Sequence, residues 1–474
     1  MITEYVDLVV VGAGPAGMEA AISAAVAGTG VILIDGYSQP GGQYFKQLPV
    51  PFHSEDHTPH HRQSEAAFLR LEEAGITLLT DTIVWSALPA SDDEGWLLML
   101  SGPGAPDCLQ AKVLILATGA YDRPIAFPGW TLPGVTTAGA VQTLVKTQRV
   151  LPGRRVLLSG TGPLQLAVAA QLVHAGAEVV GVLEGAHIGL GSARYASAMW
   201  GQWTRLREGW DYWLTLRRAG VPIRLGWSVI EAQGDGEVQE AVIARLDSDW
   251  NPIPGSRETQ SVDTLVMGYG FLPSNELSRL LNCEHEFIPA QGGHVPQRDD
   301  EMQTSLPGVY AVGDGAGIGG AELSQVEGRI AGLAAARRLG RLDDKAARTA
   351  LARQKPVLAR ERRFARMLGE LFTPGPGLYK LADDDTLICR CEQITRREIQ
   401  EAIAAGFQTV SWVKRITRTG MGICQGRVCG HLVARMIAEQ TEQDLMQIAS
   451  DRVRPPVRPI PLDSLEESNH VPIR

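Results

Sequence analysis

A chain of 474 residues is too long for one compact core; at about 150 residues per domain it should hold roughly three. Its 44% hydrophobic and 20% charged residues are ordinary for a soluble globular protein, and a formal net charge of −9 gives no reason to expect nucleic acid as a partner. No apolar run reaches the ~18 residues that cross a bilayer, and the opening MITEYVDLVVVGAGPAG runs straight into a strand and a Gly-rich turn, not a secretory leader. Six cysteines are too few for a disulfide scaffold. Four of them fall within 41 residues, which in a reducing compartment suggests metal, so the expected location is cytoplasmic.

In chain order, residues 6–35 read as strand, Gly-rich turn, Ala-rich helix and strand (VDLVVV, GAGPAG, MEAAISAAVAG, VILID), a βαβ unit of a parallel sheet. VLILATG (113–119) and VYAVGD (309–314) are continuous apolar runs, as doubly buried parallel strands should be. Between them a second such unit is expected at 155–184 (RVLLSG, TGPLQLAVAAQLVHAG, AEVVGVLE). One dinucleotide-binding domain is therefore inserted into another. The stretch 337–372 is Arg-rich and helix-prone, and it ends at the breaker TPGPG (373–377). The tail, with Pro455, Pro456, Pro459 and Pro461, should form an extended strap or stay disordered.

The first nucleotide site is carried by Gly12, Gly14 and Gly17, directly after a strand and opening a helix. Their separate tasks are the tight turn, the close approach of backbone to pyrophosphate, and close helix–strand packing. Asp35 ends the next strand 23 residues after Gly12, where a carboxylate can take the adenosine ribose hydroxyls. PGGQ (40–43), ATGA (117–120) and VYAVGDGAG (309–317) favour FAD over NAD here. With them the first 340 residues or so resemble the two-dinucleotide-binding-domain flavoproteins, the group that includes thioredoxin reductase. The resemblance implies that Gly42, Gln43, Gly119, Gly313 and Asp314 line the flavin, with the Gly313–Asp314 pair beside its ribityl and pyrophosphate region.

In the second unit Gly160 and Gly162 repeat the first two glycines, but Gln165 stands in place of the third. Glu184 ends the following strand, 24 residues after Gly160, and favours a free 2′-hydroxyl, hence NAD over NADP. Gln165 leaves open a degenerate site or one for another adenine nucleotide.

Cys389-Arg-Cys391 and Cys424-x4-Cys429 are thiolate pairs, with glycines at 420, 422, 426 and 430 to make tight loops around them. Soft thiolates favour iron–sulfur clusters and zinc alike. The string ICRCEQIT…TRTGMGICQGRVCG resembles the 2Fe–2S domain of bacterioferritin-associated ferredoxin, and more closely the version appended to flavoprotein amine dehydrogenases. That resemblance implies a 2Fe–2S cluster. Cys108 and Cys283 are isolated and read as packing or surface thiols, and no CxxC lies near the flavin motifs to run disulfide exchange.

Trp200, Trp203, Trp210 and Trp213, spaced 3, 7 and 3, share one side of a helix. Core packing within the inserted domain is the favoured reading, and a docking face for another subunit the alternative. The basic run 353–366 reads as a solvated helix face, and HSEDHTPHH (53–61) as a loop over the flavin. No residue can be singled out as catalytic.

Over residues 5–445 the order of parts is similar to the large subunits of heteromeric amine dehydrogenases: opine oxidases, D-hydroxyproline dehydrogenase and hydrogen cyanide synthase. The expected fold is α/β: an FAD-binding Rossmann-like domain (1–150 and 285–340) with an inserted NAD(H)-like domain (151–284). A helical linker (341–380), a small bacterioferritin-associated-ferredoxin-like 2Fe–2S domain (381–445) and a Pro-rich tail (446–474) would follow. In that family a separate sarcosine-oxidase-like flavoprotein subunit oxidises the substrate C–N bond, a further small subunit can join, and an FMN is often shared at the subunit contact. The resemblance thus implies an electron-transfer subunit of an amino-acid or opine dehydrogenase. Two rivals are a self-sufficient NADH-dependent reductase and a zinc-filled scaffold that only binds a partner.

Overall fold

The computed structural model describes residues 3–48, 59–90, 95–189, 194–448 and 451–462. The chain forms two compact units. The first joins residues 1–121, 272–366 and 453–474; the second joins 122–271 and 367–452.

In the first unit, β1 (Thr3–Val11), α1 (Pro15–Val26), β2 (Val31–Ile34), α2 (Pro59–Glu73), β3 (Thr77–Leu79), β4 (Ile83–Pro89), β5 (Trp96–Ser101) and β6 (Cys108–Leu116) come in turn. The sheet order is β3-β2-β1-β6-β5-β4, and strand Val309–Ala311 also pairs with β6. β1 runs parallel to β2 and β6, with Val11 level with Ile34 and Leu116, so the strand ends carrying Gly12, Asp35 and Ala117 lie side by side. Leu8, Val9 and Val10 are fully buried, which is why β1 reads as unbroken apolar sequence instead of alternating.

Helix α1 packs on helix Ala321–Arg338 almost backbone to backbone. A methyl on Gly328 would lie 2.1 Å from the Ala16 carbonyl oxygen, and one on Gly332 2.3 Å from that of Ala20. The tail returns to this unit: Val457 is buried and donates its N–H to the Trp85 carbonyl at 2.9 Å.

The second unit has a five-stranded parallel sheet ordered Ile223–Leu225, Glu178–Glu184, Arg155–Gly160, Thr264–Gly268, Val135–Thr137. Residues 135–137 pair with 265–267, which carries the unit boundary back to 121/122 from the expected 150/151. The second boundary falls at 271/272, ahead of the expected 284/285. The cysteine-bearing segment is a short hairpin (Leu387–Cys389 with Ile394–Thr395) and helices Arg396–Ala404, Val410–Thr417 and Gly430–Thr441. Thr395 and Glu398 close a capping box on the first of these helices. Ile388, Ile399, Val413 and Ile437 join Trp130, Phe127 and Leu265 in one continuous core. Buried Trp130 donates its indole N–H to the Leu387 carbonyl at 2.6 Å. The cysteine segment is thus built onto the inserted sheet.

Two expectations are corrected. Trp200, Trp203 and Trp210 are not core: they are 73%, 61% and 60% exposed. Helix Trp203–Arg218 packs through other positions, with Leu216 its one buried residue, and Trp200 is not on it but ends the short helix Ala196–Met199, because Gly201 breaks the run. The histidine string lies largely outside the described residues, but Pro59, His60 and His61 open α2 and are not loop. Cys108 and Cys283 are buried, and the arginines of 353–366 are exposed apart from half-buried Arg362, as expected. Among the described residues no helix is long and apolar enough to cross a membrane.

Buried Glu19 on α1 accepts from Arg70 of α2 (2.7 and 3.0 Å) and from Arg329 (3.0 Å). Burial alone would raise its pKa, but the two guanidiniums outweigh that and lower it. A depressed carboxylate contributes stability that is complete above its ordinary pKa and is lost as pH falls through the folded value. Acid titration of the melting temperature should therefore show wild type losing more stability than Glu19→Gln below about pH 4.5. At neutral pH the variant should be less stable by about 2 kcal/mol.

Candidate functional site

The first site is assembled from four turns of the first unit. Gly12 takes a left-handed φ of +103°, and a methyl there would lie 2.3 Å from the Ala117 carbonyl oxygen. A methyl on Gly17 would lie 1.8 Å from the Gly12 carbonyl oxygen, so helix and turn touch where the third glycine was expected to let them. Gly14 caps α1 in an extended conformation. A methyl on it would meet only the Gly42 Cα, at 3.9 Å, which leaves open space above the helix N-terminus. Gly119 faces open space in the same sense. The turn after strand Val309–Ala311 closes on these: a methyl on Gly313 would lie 2.8 Å from the Ala16 Cβ, and one on Gly315 2.6 Å from the Thr118 hydroxyl.

Three acids hold these turns. Asp35 is buried and accepts from Ala13 N–H (2.5 Å) and Tyr37 N–H (2.8 Å); burial raises its pKa. Asp314 accepts through one oxygen from Gly319 and Gly320 N–H, both at 2.9 Å, and burial raises its pKa too. Glu327, which sequence reasoning missed, accepts from Gly313 N–H at 3.0 Å and pairs with Arg298 at 2.9 Å. An acid in the Ala- and Gly-rich run of that helix was the available signal. Gln43 is held between Tyr37 (3.0 Å) and Lys46 (3.3 Å). Gly12, Gly14, Gly17, Gly42, Gly313 and Asp314 thus come together, and Asp35 reaches the same turn through Ala13.

The second site repeats the arrangement with two departures. Glu184 is buried and accepts from Gly162 N–H and Ala186 N–H, both at 2.8 Å; burial raises its pKa. Gly160 touches Gly268, since a methyl would lie 2.1 Å from that carbonyl oxygen. Gln165 is 1% exposed and packs beside Gly268, with neither side-chain amide atom hydrogen-bonded. A methyl on Gly162 would meet the Phe372 ring carbon at 3.7 Å, so an aromatic side chain lies over the second glycine. Nothing local could have announced Phe372, 210 residues downstream.

The four cysteines gather in twos. Cys389 and Cys429, both buried, share a thiol hydrogen bond that lowers the Cys389 pKa to about 5 and pushes Cys429 far up. Cys391 sits against Cys424, and burial together with that neighbour raises its pKa. The glycine loop wraps both pairs: Gly420 N–H points at Cys389 Sγ (3.5 Å), and a methyl on Gly422 would lie 2.3 Å from Cys391 Cβ. Among the described residues no three His, Cys, Asp or Glu side chains converge on one point.

A glycine cradle at the strand ends of a parallel sheet, with a second such unit inserted, defines a two-dinucleotide-domain oxidoreductase. The pyridine nucleotide-disulphide oxidoreductase family model matches residues 6–340, and the chain belongs to that family. Membership supports a flavin as cofactor. A sarcosine oxidase A3 domain model matches residues 384–468. Similar relatives include hydrogen cyanide synthase subunit HcnB of Pseudomonas protegens, 34% identical over 463 residues (97% of each chain). An opine oxidase subunit from Agrobacterium tumefaciens is 31% identical over 485 residues, 99% of this chain and 93% of that one. Among solved structures, L-proline dehydrogenase from P. horikoshii shares the fold with a TM-score of 0.70 at 20% identity, covering 98% of this chain and 80% of that one.

The two glycines separate ligand from fold. Gly14→Ala should leave the melting temperature within a degree or two and reduce the flavin retained on purification, because the methyl enters only the open cradle. Gly17→Ala should instead destabilise the protein by about 3 kcal/mol or more, since its methyl cannot fit. Calorimetry and flavin absorbance of the two purified variants check both outcomes.

Proposed function

We propose that this chain is the FAD- and 2Fe–2S-carrying electron-transfer subunit of a heteromeric dehydrogenase that oxidises an amino acid, an opine or a related secondary amine. The observation that carries the reading is the pairing of the four cysteines, in the same chain as the glycine cradle. Two thiolates per iron is what a 2Fe–2S cluster asks of a protein, and the Gly420 N–H directed at a sulfur is the kind of backbone donor that stabilises one. Cys389, Cys391, Cys424 and Cys429 would hold it. Gly12, Gly14, Gly17, Asp35, Gly42, Gln43, Gly119, Gly313 and Asp314 would hold FAD, with the open space above Gly14 left for its pyrophosphate. When bound, a flavin supplies two-electron chemistry and the cluster one-electron transfer, so a chain with both can link the two.

The names of the relatives point the same way. The hydrogen cyanide synthase and opine oxidase relatives are both designated subunits, and the cysteine segment matches a sarcosine oxidase domain. A sarcosine-oxidase-like flavoprotein would then supply the substrate site. Phe372 over Gly162 and the buried Gln165 weigh against NADH as the electron source through Glu184.

Cys424→Ser should abolish the visible and EPR signals of a cluster while flavin content stays at the wild-type level. Stoichiometric zinc in the native protein would sink the 2Fe–2S assignment and with it the electron-transfer reading. Purified alone, the chain should fail to turn over proline derivatives, glycine, sarcosine or opines with an artificial acceptor. Robust turnover, or rapid anaerobic bleaching of its flavin by NADH, would instead identify a self-sufficient enzyme.

A further inference from the structure

We propose that the tryptophan face of helix Trp203–Arg218 is where this chain docks its substrate-oxidising flavoprotein partner, an inference that rests on the heteromeric reading above. The helix has sixteen residues, including three tryptophans, a tyrosine and three leucines, yet only Leu216 is buried. A helix normally owes its stability to an apolar stripe pressed into a core; this one turns much of its stripe to solvent. Trp203, Leu206, Trp210 and Trp213 follow one side, and Trp200, the extended residue that ends the preceding short helix Ala196–Met199, lies beside them. Trp200 packs edge-on to Trp203 at 5.5 Å, and Trp210 stacks on Trp213 at 4.8 Å, with the Arg217 guanidinium 5.1 Å from the Trp213 ring. The rings hold one another in place, so a partner would meet a preorganised surface.

Area and charge select the occupant. Trp200, Trp203 and Trp210 together expose roughly 480 Å², taking ~250 Å² for each whole side chain. That is more than half of the ~800 Å² a standard interface takes from one partner. Along the helix, Arg205, Arg207, Arg217 and Arg218 outnumber Glu208 and Asp211, a local excess of +2 on a chain of net charge −9. A second copy pairing through the same face would bring two patches of like net charge together, which disfavours that occupant. The surface instead fits a different protein, with apolar pockets for the indoles and an acidic rim.

The test uses the full-length, flavin-loaded chain, tagged and purified from its native host with whatever flavoprotein accompanies it in fixed ratio. That flavoprotein, separated and titrated back, should bind wild type and restore amine-dependent dye reduction. Trp203→Ala/Trp210→Ala should bind it roughly 100-fold more weakly with unchanged flavin content and melting temperature. Arg207→Glu/Arg218→Glu, which keeps the indoles, should slow association and flatten its salt dependence. Tyr5→Ala/Leu69→Ala, which removes exposed apolar side chains of the first unit, should bind as wild type does. Undiminished binding by the tryptophan variant overturns the docking face and leaves the heteromeric reading standing. Absence of any flavoprotein partner of wild type overturns both. Loss of self-association in sedimentation, with partner binding intact, shows the occupant to be a second copy and also overturns the proposal.

Discussion

Everything at the first site depends on how closely four pieces of backbone can approach. The Gly12 turn lies against the Ala117 carbonyl, α1 lies on the Gly12 turn through Gly17, and helix Ala321–Arg338 lies on α1 through Gly328 and Gly332. Each contact is closed by the absence of a side chain, so no atom fills the gap when the chain folds. The apolar sheet below supplies the driving force, and the glycines supply the geometry. The result is a fixed helix N-terminus with open space in front of Gly14, where the orphan N–H groups of the first turn and the helix dipole both favour an anion.

The acid at the end of the second strand has more than one role to fill. It was singled out as a ribose ligand, yet in both units its carboxylate is engaged by backbone N–H groups of the neighbouring turns, Ala13 and Tyr37 for Asp35, Gly162 and Ala186 for Glu184. Such bonds fix the distance between the two strand ends whether or not a ligand is present. Burial raises the pKa of both groups, against which the N–H donors work to keep the charged form.

What could be read from sequence was what is local. The βαβ units, their glycines and their acids follow from patterns a few residues long, because strand pairing, turn and cap are set by neighbours in the chain. Residues that act across long separations were not legible. Phe372 reaches Gly162 only through the fold, and Glu327 finds Gly313 from the next helix along. The tryptophan stripe shows the limit most plainly. Helical spacing suggests four indoles on one side, but the chain breaks after Trp200, and which side of the remaining helix meets the core is decided by the packing around it, where Leu216 was enough. The first unit boundary was displaced for a similar reason: three residues, 135–137, enter the second sheet by pairing with a strand more than a hundred positions away.

The path of the chain has a consequence for how the protein is made. The first unit takes residues from three separated stretches, and the last of them, around Val457 and Arg458, bonds back to Trp85 and Ser274. A ribosome must therefore finish the whole second unit, cysteines included, before the first can close its final contacts. Until then the edge of β4 and its tryptophan wait for a strand of backbone not yet synthesised. Assembly order is thereby written into topology: the segment that holds the four thiols is complete and out of the exit tunnel before the nucleotide-binding unit reaches its finished form.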